Sequence, residues 1–229
     1  MIPYLIILNH SDHTRVDHVY NQIQKHKDKQ FTVLTAILPK DISACIVSNQ
    51  IKIDKGRYLE RKLACYLSHY MAYSYMVERK YEKAVILEDD FIFYDDHDQK
   101  IENIIREISD DFDIVRLYHH NKYSILPLPG KEFIGSQSSV AGDVGNLVSL
   151  KGAIKILSEL KTINFIGIRD ELPEGFIPND IIIYKMGILR QLNSFSSIDV
   201  VVGTQGDINK NVPGVLGSTI NSYTDYYMV

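Results

Sequence analysis

The sequence predicts an α/β fold, a sheet flanked by helices, on three observations. Short continuous apolar runs, "YLIIL" at 4–8 and "KAVIL" at 83–87, have the texture of strands buried on both faces. Other segments repeat their apolar residues at three and four positions, the spacing of a helix with one buried stripe. The two textures alternate through the front half of the chain, which is the rhythm of strand-helix units layered into one domain.

Taken in order, "YLIIL" ends at the polar "NHSDH", so a first strand is followed by a loop and then by a helix from Arg15 to about Lys27. "QFTVLTAIL" (30–38) has the branched residues of a second strand, closed by Pro39. From Tyr58 to about Arg79 a helix is predicted, because Leu59, Leu63, Leu67, Tyr70, Ser74 and Val77 fall on one stripe. "KAVILEDD" is the third strand, "DQKIENIIREIS" a charged helix, and "DFDIVRLYHH" a fourth strand with Ile114, Arg116 and Tyr118 on one face. Residues 127–146 have little periodicity and frequent Gly, Ser and Pro, the composition of functional loops. "SLKGAIKILSEL" (149–160) returns to helical spacing, with Ala153, Ile156, Leu157 and Leu160 inward. Beyond it come "GFIPNDIIIYKMG", "QLNSFSSIDVVVG" and a polar tail after Gly206. No internal repeat or low-complexity tract interrupts this series, so a single domain is expected.

Length and composition narrow the classes of function. A chain of 229 residues with 45 % hydrophobic content can bury a full core. Its 25 basic and 29 acidic residues leave no overall attraction to nucleic acid. Two cysteines, Cys45 and Cys65, stand outside any CxxC or Cys/His pattern, as expected of reduced thiols in a cytoplasmic setting. The run "IPYLIIL" is about a third of the ~20 residues that span a bilayer and has no basic leader, so neither export nor anchoring is expected from it.

The chemistry concentrates in "AVILEDDFIFYDD" (84–96), where an apolar strand runs into Glu88, Asp89 and Asp90. Strand alternation places Glu88 and Asp90 on one face and Asp89 on the other. Clustered carboxylates repel and raise one another's pKa unless a cation lies between them. Mg²⁺ or Mn²⁺ fits, since hard ions take oxygen ligands and share them with substrate phosphates. A solvated strand end is the alternative, and Asp95 and Asp96 fit helix capping better. On the long helix, Arg61, Cys65, Ser68 and Ala72 lie roughly opposite the leucine stripe, with His69 beside Ser68. Adjacent helical side chains diverge by about 100°, which excludes a Ser-His dyad. GxSxG, P-loop and GxGxxG motifs are absent.

Taken together, "RKLACYLSHYMAYSYMVERKYEKAVILEDDFIF" resembles the core motif of glycosyltransferase family 25, a C-x-x-S-H helix followed by a strand ending L-E-D-D. Cys65, Ser68, His69, Leu87, Glu88, Asp89 and Asp90 carry that likeness. Asn9 and Arg15 of the opening segment are similar to the family's first strand and its following basic residue. Gly145, Ser149, Gly152 and Ala153 resemble its later helix entry, Pro178 and Asp180 its P-x-D, and "FSSI" (195–198) its closing serine pair. Two departures stand out: Leu59-Glu60-Arg61 replaces a Gly-Glu before the helix, and Asn146 occupies a position that is often tyrosine, which bears on sugar choice.

The resemblance implies a GT-A-like, Rossmann-like mixed sheet, with a nucleotide-sugar half at about 1–125 and an acceptor half at about 126–206; the composition of the tail at 207–229 is that of a partly mobile segment. It implies transfer of a hexose, galactose from UDP-galactose foremost, to a saccharide or glycolipid acceptor such as lipooligosaccharide, with inversion and with contact at the inner membrane face. Asp90 is then expected to bind Mn²⁺ or Mg²⁺ directly, assisted by Glu88. Asn9, Arg15, Arg61, Ser68, His69, Glu88 and Asp89 are expected to hold the nucleotide. Inversion needs a base for the acceptor hydroxyl. Asp180 is the first candidate, followed by Asp170 and Asp143. The competing readings are a non-catalytic nucleotide-sugar or carbohydrate-binding domain and a metal-dependent phosphohydrolase or nucleotidyltransferase.

Overall fold

The computed structural model describes residues 1–53, 60–108, 111–118, 125–136, 143–163 and 191–204. β1 (Pro3–Leu8), α1 (His13–Lys25) and β2 (Gln30–Thr35) open the chain, and a single 3-10 turn (Pro39–Asp41) leads into α2 (Ile42–Asn49) and β3 (Lys52–Ile53). Then follow α3 (Glu60–Glu78), β4 (Lys83–Glu88), β5 (Phe91–Phe93), α4 (His97–Glu107) and β6 (Ile114–Arg116). The rest comprises β7 (Ile134–Ser136), β8 (Gly145–Ser149), α5 (Leu150–Leu160), β9 (Thr162–Ile163), β10 (Ser194–Ser197) and β11 (Val202–Thr204).

Seven strands form the main sheet in the order β2-β1-β4-β8-β6-β10-β7. It is mixed: β1 runs parallel to β2 and β4, and β6 parallel to β10, while β4/β8, β6/β8 and β7/β10 are antiparallel. The predicted α/β class, a sheet flanked by helices, is therefore what the chain adopts. Every residue of β1 is buried, and so are the four middle residues of β4, which explains why both read as continuous apolar runs.

Two apolar clusters cover the two faces. On one, α3 and α5 pack over Leu5, Ile86, Ile114 and Val148; on the other, α1 and α4 pack over Ile6, Val85, Val115 and Leu147. The helix following β1 and the helix preceding β4 thus lie on opposite faces of neighbouring parallel strands. Such a reversal opens a crevice at the strands' carboxyl ends, where ligands bind in α/β sheets. Glu88 closes β4 at that edge, as its place at the end of an apolar run suggested.

Helix ends follow local chemistry. Asp12 caps α1, accepting hydrogen bonds from the N–H groups of Thr14 at 3.0 Å and Arg15 at 3.2 Å, so the helix begins two residues earlier than its apolar spacing indicated. Ser149 caps α5, accepting from the Gly152 N–H at 3.1 Å and donating to the Phe112 carbonyl at 2.7 Å. A Cβ at Gly152 would lie 2.1 Å from the Asp113 carbonyl oxygen, so only glycine lets α5 approach β6 this closely.

Several expectations differ from the structure. Residues 145–149, whose composition suggests loop and helix entry, form β8, a central strand buried at all five positions. A segment pressed between two strands and two helix layers has no polar face, so it shows no alternation to read. β10, with its serine pair, is likewise an interior strand. α3 is buried far beyond one stripe, from Leu63 to Met76, and Ser68 and His69 belong to its buried surface rather than to a solvent face. Asp96 stands at the N-cap of α4 without capping it; its carboxylate pairs instead with Lys100 at 3.1 Å. Asp170, Pro178, Asp180 and the tail lie outside the described residues.

Candidate active site

The site begins where β1 stops. Asn9 turns the chain, its side-chain oxygen accepting from the Ser11 N–H at 3.0 Å, and its own backbone N–H donates to Asp89 Oδ2 at 2.9 Å. Because Asp12 starts α1 immediately after this turn, Arg15 falls in the first helical turn and points back at the end of β4. Its Nη1 lies 2.9 Å from Asp89 Oδ1 and 3.2 Å from Asp90 Oδ2, with the side chain only 6 % exposed. Burial pushes the Asp89 carboxyl up, while the Asn9 N–H and the Arg15 guanidinium pull it down.

Strand alternation ends at Glu88, since Asp89 and Asp90 form a turn. The expected same-face pair of Glu88 and Asp90 therefore gives way to a different division. Asp89 and Asp90 share Arg15, whereas Glu88 turns toward α3 and accepts from His69 Nε2 at 3.0 Å and the Cys65 thiol at 3.8 Å. His69 and Cys65 are four residues apart on α3, which stacks them on one face of the helix, so Cys65 does stand in a Cys/His cluster, contrary to the expectation from cysteine spacing. Asp90 Oδ1 is buried and has no hydrogen-bond partner among the described residues.

Electrostatics on the α3 side reflect crowding of acids. Burial is the largest influence on both His69 and Glu88, and it disfavours charge on each. For His69 it is outweighed by hydrogen bonds to Cys65 and Glu88 and by the charge of Asp143, so the imidazole titrates well above its usual range. Glu88, desolvated beside Asp90 and Asp143, is raised against the pull of His69. Burial pushes the Cys65 thiol up to about 11.

Asp143, just before β8, is the one proposed base within the described residues, and it is buried. It accepts from Asn146 Nδ2 at 3.3 Å. Asn146 begins a buried polar row across three strands, Asn146 on β8, Arg116 on β6 and Ser196 on β10, each opposite the next in register. Arg116 is 1 % exposed and is no candidate from sequence, while Asn146 stands out there only as a departure from the family motif. An arginine inside the apolar "IVRLY" was the available signal, since a strand core does not hold a guanidinium without a reason.

Two further candidates are placed apart from this cluster. The Ser68 hydroxyl donates to the Ala64 carbonyl at 2.7 Å and accepts from the Ile37 N–H at 2.8 Å, joining α3 to the segment after β2. Arg61 is exposed on the first turn of α3. Thus Asn9, Arg15, Glu88, Asp89, Asp90, His69 and Asp143 are brought together, and Ser68 and Arg61 are not. Among the described residues, no helix is long and apolar enough to cross a membrane.

Comparison with known proteins bears on this site. A family model, Glycosyltransferase family 25 (LPS biosynthesis protein), matches residues 1–183. The chain is 25 % identical over 185 residues to Procollagen galactosyltransferase 1 of Danio rerio, covering 75 % of this chain and 31 % of that protein. It is 26 % identical over 187 residues to Procollagen galactosyltransferase 1-B of Xenopus laevis, covering 75 % of this chain and 30 % of the relative. The chain thus spans about a third of the length of these curated relatives. A solved structure, that of a glycosyltransferase involved in the glycosylation of the major capsid of PBCV-1, superposes with a TM-score of 0.48 at 10 % identity, over 85 % of this chain and 80 % of the other. A likeness that loose says nothing of function.

Proposed function

The chain belongs to glycosyltransferase family 25, and on that premise we propose that it transfers a hexose from a nucleotide sugar to a saccharide acceptor at the carboxyl end of β4. The observation that carries this reading is Asp90, a buried carboxylate at the mouth of the crevice whose Oδ1 has no protein partner among the described residues. An acceptor oxygen left bare at a buried site costs about 1–3 kcal/mol, a cost that a ligand would remove.

A divalent ion, Mn²⁺ or Mg²⁺, fits that donor set, with Asp90 as direct ligand and Glu88 assisting. When bound, such an ion would offset the negative charge on a departing nucleoside diphosphate. The chain's own groups do the rest. Arg15 holds Asp89 and Asp90 at fixed spacing and neutralises part of their repulsion. The Asn9 N–H orients Asp89. His69 keeps Glu88 turned inward, which leaves room at the strand end for phosphates. In the transfer, the acceptor oxygen forms a bond to the anomeric carbon while the bond to the diphosphate breaks. The hydroxyl proton passes to a carboxylate base, and inversion follows from this single displacement. Asp180 remains the first candidate for that base, with Asp170 and Asp143 behind it. Asp143 is the less suited because it is buried and already accepts from Asn146.

The names of the relatives support galactose as the sugar transferred, and the family description supports a lipopolysaccharide-type acceptor; UDP as its carrier, a cytoplasmic setting and a GT-A-like arrangement belong to the same proposal. A panel of UDP-hexoses with a saccharide acceptor, with and without Mn²⁺, tests the reading by UDP release. UDP-galactose turnover that needs the ion is expected. Absence of both UDP release and thermal stabilisation by UDP with Mn²⁺ would overturn it.

A further inference from the structure

Cys65, His69 and Glu88 present a sulfur, an imidazole nitrogen and a carboxylate oxygen that all lie within 4.8 Å of one another. The Glu88 oxygen is 3.0 Å from His69 Nε2 and 3.8 Å from Cys65 Sγ. In a tetrahedral zinc site, bond lengths of roughly 2.0–2.3 Å put nitrogen and oxygen about 3.4 Å apart and sulfur and oxygen about 3.6 Å apart. The two observed spacings bracket those edges, so movements of a few tenths of an ångström would complete them. From this geometry we infer that Cys65, His69 and Glu88 form a site for a thiophilic divalent cation of the zinc type. This site differs in donor chemistry from the all-carboxylate position at Asp90.

The donor set decides the ion. Thiolate with imidazole selects zinc-like metals, whereas Mn²⁺ and Mg²⁺ prefer oxygen alone. The backbone already holds the three donors together: Cys65 and His69 stack at four-residue spacing on α3, and Glu88 ends β4 with its backbone N–H fixed to the Val144 carbonyl at 3.0 Å. The Glu88 side chain is 29 % exposed, which gives an ion a way in. Among the described residues, no fourth histidine, cysteine or carboxylate joins the three within that distance, which leaves a fourth position for water or another small ligand. An ion here would clamp α3 to the strand end and fix which way Glu88 faces. The site shares Glu88 with the position proposed at Asp90, but neither donor sugar nor acceptor takes part in holding the ion here.

Cobalt titration of the full metal-free chain tests it without any sugar nucleotide. About one Co²⁺ per chain should bind with a thiolate-to-cobalt charge-transfer band and tetrahedral visible bands, and Zn²⁺ should displace it. Mn²⁺ in excess should not. Cys65→Ser should lose the charge-transfer band, and Asp90→Asn should keep it. Cys45→Ser, which removes the only other thiol, should keep it as well, and this variant decides the matter even if Cys65→Ser does not fold. No charge-transfer band in the unaltered chain, its loss in Cys45→Ser or in Asp90→Asn, or its survival in a folded Cys65→Ser protein would each overturn the inference.

Discussion

His69 and His97 are both buried, on opposite faces of one sheet, and their imidazoles shift in opposite directions. His97 stacks on Phe93 with ring centroids 4.3 Å apart and 17° between planes, and His26 meets both rings edge-on. Burial dominates there and lowers both His97 and His26. Around His69, burial also disfavours charge, but hydrogen bonds to Cys65 and Glu88 and the charge of Asp143 overcome it. Burial alone therefore does not decide which way a histidine shifts. The neighbours do: aromatic rings make a core, and converging acids make a place for a cation.

The largest expected effect lies on the acidic side. Asp90→Asn keeps the size of the side chain but removes its charge, and transfer should fall on the order of 100-fold or more, since electrostatic help to a leaving group is worth several kcal/mol. The melting temperature should hardly move. Near-normal turnover by this variant would leave the two faces with no functional difference. Next in size, Arg15→Met strands a buried carboxylate, Asp90, and a half-buried one, Asp89, and should destabilise the fold by about 3 kcal/mol, read as a lower denaturant midpoint. A variant as stable as the parent would mean that Asp89 and Asp90 do not depend on the guanidinium.

The smallest effect belongs to the aromatic side. A histidine whose folded pKa lies below 6.5 leaves the unfolded chain binding more protons. Stability from His97 and His26 is then fully present above about pH 6.5 and declines as pH falls through their lowered folded values. His97→Phe should flatten that decline, measured as urea unfolding free energy between about pH 5 and 7. A parent protein whose stability is flat over this range would remove the contrast between the faces.

Particular elements show how far local pattern carries. β1, α3 and β4 were legible because a run of apolar residues, or their recurrence at three and four, is a property of neighbours in sequence. α2 escaped notice because its eight residues, Ile42–Asn49, are too short to show a period. Asn9, Arg15, His69 and the three acids were found through motif likeness, and they do converge. Arg116 was not, and Asn146 stood out only as a departure from the motif, because burial of a polar residue depends on the strands laid beside it.

The sequence by itself determined the α/β class, the family likeness and the place of an acidic crest after an apolar strand, all of which rest on local order. Only the tertiary structure decided which way each acid faces. Alternation lapses at the turn after Glu88, so Asp89 and Asp90 go to Arg15, 74 residues from Asp89 in sequence, while Glu88 goes to His69. The antiparallel register of β8 on β4, pairing Leu87 with Gly145, is what carries Asp143 to the same edge. Such contacts arise from the pairing of distant strands, which no short window of sequence contains.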